Sequence, residues 1–275
     1  MTTIISVINQ KGGVGKTTTV INLAASLSIM GQSNLVIDLD PQGNATTGLG
    51  KNNSDEEKNI YNLLIRKINL NQVIQKTNID KLDIIGSHVN LSGLEVETAS
   101  DSKRAFVLKE ILSSEKSGLL KKYDNIFIDC PPSLSLLTIM SLVASDELLV
   151  PLQTEFFALE GLGKLLNTIK IVQSRLNTAL AIEGILMTMY DVRLRLCNQI
   201  VNEVRRHFED MVFDTIIHRN SRLSEAPSVG KPAILYDAES KGAINYLNLA
   251  KEILQKNNMT KIKETERTIN PDNEQ

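Results

Sequence analysis

The sequence predicts an α/β protein, a mostly parallel twisted β-sheet flanked by helices on both faces. Three observations predict it. Short apolar runs alternate with helical patterns along nearly the whole chain. The first run feeds a glycine loop and then a helix. Two later runs end in aspartate at strand carboxyl ends, where open α/β sheets place their ligands.

In chain order, Ile4–Ile8 is a β-branched strand that enters Gly12-Gly13-Val14-Gly15. A helix follows to Met30, with Val20, Leu23, Ala24 and Leu27 on one face and Gly31 closing it. Leu35–Ile37 is a second buried strand, leading into Asp38-Leu39-Asp40-Pro41. After a polar excursion over Lys51–Asn59 come helical patterns near Tyr61–Arg66 and Leu70–Gln75, and a short strand at Leu82–Ile85. Ser102–Leu120 reads as helix and Asn125–Asp129 as strand. The alternation continues with helix Ser133–Val143, strand Leu148–Pro151, helix Glu160–Arg175, strand Gly184–Met189 and helix Leu194–Phe208. Val212–Ile217 reads as a strand, and a last helix spans Ser240–Gln255. One domain covers residues 1–256, and 257–275 read as a polar, disordered tail.

Strand, glycine loop and helix start together describe a phosphate-binding loop, the P-loop of nucleoside triphosphatases. Glycines let backbone N–H groups turn toward phosphate oxygens, and the positive helix end meets the anion. In this reading residues Lys11, Gly12, Gly13, Val14, Gly15, Lys16, Thr17 and Thr18 form the cradle. Lys16 reaches the β/γ-phosphates and the Thr17 hydroxyl ligates Mg²⁺. The strict pattern G-x-x-x-x-G-K-[ST] is broken at Gln10, and a second lysine, Lys11, opens the loop. The competing reading is a glycine-rich turn with chance lysines.

A phosphate loop needs a carboxylate on a neighbouring strand to hold the metal. Asp129, after Ile126-Phe127-Ile128, supplies it. Asp40 is a second candidate, placed to orient the attacking water or touch the metal through its hydration shell. Asp38 is expected on the opposite face of its strand. The alternative is that both aspartates only begin a turn.

Composition narrows the partners. The chain has 275 residues, a net charge of −2 and no tryptophan, so no global basic field draws it to DNA and any such contact needs a local patch. Its two cysteines, Cys130 and Cys197, suit a reducing compartment, and Cys130 reads as a small buried residue. His88 and His207 read as surface residues. No apolar run reaches membrane-spanning length, the start lacks a signal-peptide pattern, and a cytoplasmic location is expected.

KGGVGKTTT with its extra Lys11, DLDPQGNATTGLG, FIDCPPSLSLLT, TEFFALEGL and RLSEAPSVGKP together resemble the ParA/Soj branch of the deviant-Walker ATPases. The matching strings run from residue 3 to about 255, nearly the whole chain. The resemblance implies an ATPase working with Mg²⁺ as a switch. ATP bridges two protomers, and Lys11 reaches across the dimer to the partner's phosphates. Lys16 and Thr17 hold phosphate and metal, Asp40 is the carboxylate needed for hydrolysis, and Asp129 is the metal-side aspartate. The dimer binds double-stranded DNA without sequence preference through Arg193 and Arg222, on the nucleoid, until a ParB-like protein stimulates hydrolysis. A solvated mixed-charge surface is the competing reading of those arginines. The segment around Arg219 borders the adenine, and His218 stands where the family usually has proline. The early glycine loop leaves no room for an operator-binding helix-turn-helix, and the tail lacks the pattern of a membrane-binding helix. Two alternatives are a MinD-like positioning ATPase for another cargo and a metal-cluster carrier of the same superfamily. The carrier requires paired cysteines, which Cys130 and Cys197 do not offer.

Overall fold

The computed structural model describes residues 2–52, 54–114 and 118–269, with side chains described as far as residue 258. Seven strands form one sheet: β1 (Thr3–Val7), β2 (Asn34–Asp38), β3 (Ile74–Lys76), β4 (Leu82–Ile85), β5 (Asn125–Asp129), β6 (Glu147–Gln153) and β7 (Ala181–Thr188). Their order is β3-β4-β2-β5-β1-β6-β7, and every pairing is parallel except the edge pair β3–β4. The expected α/β class with a mostly parallel sheet is what the chain adopts.

Period-two alternation along the central strands divides the core. Ile5, Val7, Val36 and Phe127 face a layer made by α1 (Lys16–Ile29) and α6 (Lys241–Ile269). Ile4, Leu35, Ile37, Ile126 and Ile128 face the other side, against α3 (Leu136–Ala144) and the short helices before β5. Beyond β1, the strands β6 and β7 bury Leu148, Val150, Ile185 and Met187 under α4 (Ala158–Arg175) and α5 (Arg195–Phe208). With both faces covered, the strands read as continuous apolar runs, which is why they stand out in the sequence. The fully buried Tyr246 hydroxyl pairs with the Thr19 hydroxyl at 3.0 Å and pins α6 to the first helix. Among the described residues no helix is long and apolar enough to cross a membrane.

Three segments differ from the sequence reading. Residues 212–217 form no strand: only Val212 bridges Ile185, while the Asp214 and Thr215 N–H groups donate to the Glu252 carboxylate on α6. A side chain satisfies the donors that a ladder would otherwise use. The described residues of 102–120 form a 3-10 turn at Arg104–Phe106, a helix at Val107–Ser113 and a further turn from Leu119, with Gly118 left-handed before it; residues 115–117 of the expected helix lie outside the described residues. The last helix does not stop near Gln255 but continues to Ile269. No glycine or proline interrupts the chain between Gly242 and Pro271, so nothing local ends it. The end of the expected tail, 270–275, lies outside the described residues.

Gly184 marks the tightest packing of β7. A Cβ there would lie 2.5 Å from the Phe213 ring. Gly184→Ala should therefore cost about 1–3 kcal/mol in urea unfolding. Combined with Phe213→Leu, the loss should be smaller than the sum of the two single changes.

Candidate functional site

The site is built where β1 gives way to α1. Asn9 shapes the loop from both ends of its amide: Nδ2 donates to the Pro151 carbonyl at 2.8 Å, and Oδ1 accepts from the Lys11 N–H at 2.9 Å. The Thr188 hydroxyl at the end of β7 donates to the Val14 carbonyl at 2.9 Å. Gly13 (φ 75°) and Gly15 (φ 91°) take left-handed conformations that aim the loop inward. No side chain caps α1, and no acidic residue sits in its first turn. Its leading N–H groups are therefore open to an anion.

The Lys16 side chain is buried, and its Nζ donates to the Lys11 carbonyl at 3.1 Å across the loop. Burial pulls its pKa down, against the attraction of Asp129. Thr17 Oγ1 donates to Asp129 Oδ2 at 2.7 Å. The other oxygen, Asp129 Oδ1, is buried with no hydrogen-bond partner among the described residues. Burial pushes the Asp129 carboxyl well above the usual carboxylate range, and nearby Asp38 adds to the shift.

Asp38 corrects the sequence reading. It does not face away: β2–β5 register places it opposite Asp129, fully buried. Asp40 lies in the turn just beyond β2, and the charges of Asp38 and Asp40 both bear on Asp129. Asp38 Oδ2 accepts from the Thr46 N–H at 2.8 Å and the Thr46 hydroxyl at 2.7 Å, which holds α2 (Asn44–Gly48) against the strand end. Burial raises its pKa to about 6. Asp40, also buried, accepts from the Gln42 N–H at 3.0 Å and so organises the turn that carries it.

A partly occluded acidic cluster with an orphaned carboxylate oxygen, beside a hydroxyl and under a helix N-terminus, fits Mg²⁺ and phosphate. Among the described residues no three His, Cys, Asp or Glu side chains form a metal cage. That also fits Mg²⁺, which keeps waters and shares its shell with phosphate oxygens.

A cleft of about 690 Å³ opens from this loop. Gly15, Thr17, Thr18, Met189, His218, Arg219 and Asn220 are among the residues that line it. Asn44, Thr47, Met189 and Tyr246 also line it and were not legible in the sequence, because they come from elements outside the loop, Met189 and Tyr246 from far along the chain.

Lys11 stands apart from the cradle. Its side chain is half exposed and ion-paired with Glu155, just beyond β6. Arg193 is exposed and held by both oxygens of Asp191, at 2.9 and 2.6 Å. Arg222 pairs with Glu225 at 2.7 Å and with Asp237 at 3.0 Å. Cys130 is buried, its thiol pushed up to about 12 by that burial. His88 is buried rather than exposed, because its Nδ1 accepts the Asn90 N–H and caps a 3-10 turn; His207 is exposed.

A family model described as an AAA domain matches residues 2–182. The sporulation initiation inhibitor protein Soj of Bacillus subtilis (strain 168) is 50% identical over 250 residues, covering 91% of this chain and 97% of its own. The chromosome-partitioning ATPase Soj of Treponema pallidum (strain Nichols) is 49% identical over 247 residues, 90% of this chain and 95% of its own. The chain belongs to the ParA/Soj family. Among solved structures, this ParA/Soj member resembles cobyrinic acid a,c-diamide synthase from Mycobacterium smegmatis with bound ATP analogue and magnesium. The TM-score is 0.81 at 33% identity, over 93% of this chain and 95% of that one.

Asp38 and Asp129 hold protons more tightly folded than unfolded. Their contribution to stability is therefore largest below the ordinary carboxylate range of about 4 and is lost as pH rises through the folded value. For Asp38 that value is about 6. In metal-free, nucleotide-free buffer, Asp129→Asn should melt above the wild type at pH 7.5, by about 3–8 °C. The gap should narrow at pH 5, and differential scanning calorimetry at both pH values reads it.

Proposed function

We propose that the chain is an ATP-driven DNA-partitioning switch. ATP joins two copies, the dimer holds double-stranded DNA without sequence preference on the nucleoid in the cytoplasm, and a ParB-like protein releases it by stimulating Mg²⁺-dependent hydrolysis. The observation that carries this reading is the Asp129–Thr17 pair under an uncapped helix start. Its free carboxylate oxygen asks for a cation exactly where an anion's charge would be met, and the chain's membership of the ParA/Soj family supports the same reading.

The roles follow from the chemistry of each group. The N–H groups at the start of α1 and the Lys16 ammonium bind phosphate oxygens; to do so, Lys16 gives up the Lys11 carbonyl. Thr17 and Asp129 would hold Mg²⁺. Bound there, Mg²⁺ neutralises phosphate charge that the protein's own cations only partly offset. Asp40 holds the attacking water at its carboxylate and orients it. Lys11, with its side chain outside its own cradle, is available to the nucleotide of a second copy and places another positive charge beside the transferring group. Arg219 borders the nucleotide along the cleft. In such phosphoryl transfer most of the rate comes from positioning and electrostatics, so a protomer lacking its neighbour's lysine turns over slowly.

Arg193 and Arg222 supply the DNA contact. Each is already paired with carboxylates, but exposed pairs are worth only about 0–1 kcal/mol and exchange readily for phosphate. Counterion release then makes the binding strongly salt-dependent.

Lys16→Ala should abolish ATP-dependent dimerisation in size-exclusion chromatography with multi-angle scattering. Asp40→Ala should keep the dimer and trap it on DNA, and a monomeric Asp40 variant in ATP would remove that role. Arg193→Ala with Arg222→Ala should weaken filter-bound DNA by at least about tenfold at low salt and flatten the salt slope by about 1–2 units.

A further inference from the structure

The cleft is lined by the polar start of α1 at Thr17 and Thr18 and, from the far half of the chain, by Met189, Ile217, His218 and Leu223. A phosphate chain anchored at the start of α1 leaves the rest of the cleft to the base. His218 stands in a parallel bridge to Tyr190 and edge-on to the Tyr190 ring, with centroids 5.3 Å apart.

The proton on this imidazole can be located by its neighbours. The His218 backbone N–H donates to the Asn245 side-chain oxygen at 3.1 Å, which identifies that atom as oxygen rather than the amide nitrogen. Ring Nδ1 lies 3.1 Å from the same oxygen. An oxygen that only accepts requires Nδ1 to carry the hydrogen. In the neutral ring Nε2 is then a bare acceptor. The Tyr190 hydroxyl does not occupy it, because that hydroxyl donates to Asn198 at 2.6 Å. No described residue donates to Nε2.

We infer that His218 selects the base, its Nε2 accepting a hydrogen bond from the exocyclic 6-amino group of adenine. This deepens the nucleotide-binding reading above and rests on it. A 6-oxo purine would present a lone pair to a lone pair. Moving the proton to Nε2 to suit the oxo group would leave Nδ1 facing the Asn245 oxygen with no hydrogen between them. Asn245, on α6, is thus the positioning residue that keeps the ring in its accepting form. A site built around a hydrogen bond rejects the wrong partner because its own polar group is left unpaired.

The test is calorimetric titration of the full chain with Mg²⁺ and either ATP or inosine triphosphate, which differ at the purine 6-position and in the hydrogen that the oxo base carries on N1. The wild type should prefer ATP. His218→Asn keeps a donor toward Asn245 but removes the far acceptor, and His218→Phe removes both. Each should cut the ATP preference by about five- to 15-fold, through weaker ATP binding, with inosine triphosphate changed by less than about twofold. Asn245→Ala frees the tautomer and should lower the same preference without itself reaching the base. An equal loss for both nucleotides would reduce His218 to a structural residue and overturn the inference, as would an unchanged preference in the variants. A wild type that binds both alike overturns the base contact while the phosphate site stands. A wild type that binds neither overturns the nucleotide reading as well.

Discussion

The structure depends on one electrostatic constraint: Asp38 and Asp129 are buried side by side on adjacent strands, at the carboxyl edge of the sheet. Two carboxylates out of water and close together resist ionisation, and each is costly unless a positive charge or donors meet it. The chain meets Asp38 with Thr46 and Asp129 with Thr17 and the nearby Lys16. One oxygen of Asp129 is left over. The protein is thus folded around a deficit of positive charge at this edge of the sheet, which a bound cation would offset.

The same constraint ties together parts far apart in sequence. Thr46, which satisfies Asp38, also accepts the Ser87 N–H at 2.9 Å, and the Ser87 hydroxyl donates to the Asp40 carbonyl at 2.5 Å. The turn bearing Asp40 is therefore held from both β2 and the end of β4. Just after α2, Gly50 touches the backbone of Gly230, where an added Cβ would lie 2.7 Å from Gly50 Cα; both residues are left-handed. That contact packs the segment after α2 against residues that also border the cleft near Pro227 and Ser228.

The cations that face outward are arranged differently from Lys16. Lys11, Arg193 and Arg222 each rest on a carboxylate of their own neighbourhood, with substantial solvent exposure. Such pairs are weak enough to exchange for a stronger anion and strong enough to keep the side chains ordered in its absence. The buried lysine grips the loop; the exposed cations stay at the surface on their own ion pairs.

By itself the sequence determined the layered α/β architecture and the glycine loop around which the candidate site is built. Parallel strands covered on both faces write their burial as continuous apolar runs, and a phosphate loop is a local structure whose glycines, lysine and threonine are neighbours in the chain. Asp129 was legible for the same reason, as the polar terminus of an apolar run. Tertiary structure alone decided the rest. Asp38 turned out to face Asp129 because strand register, not the turn motif, sets what lies beside it. Residues 212–217 lost their strand to the Glu252 side chain of a helix almost forty positions later. The cleft joins Met189, His218 and Tyr246, three residues with no shared local pattern. Their meeting is a product of packing between elements, a long-range property that no window of sequence contains.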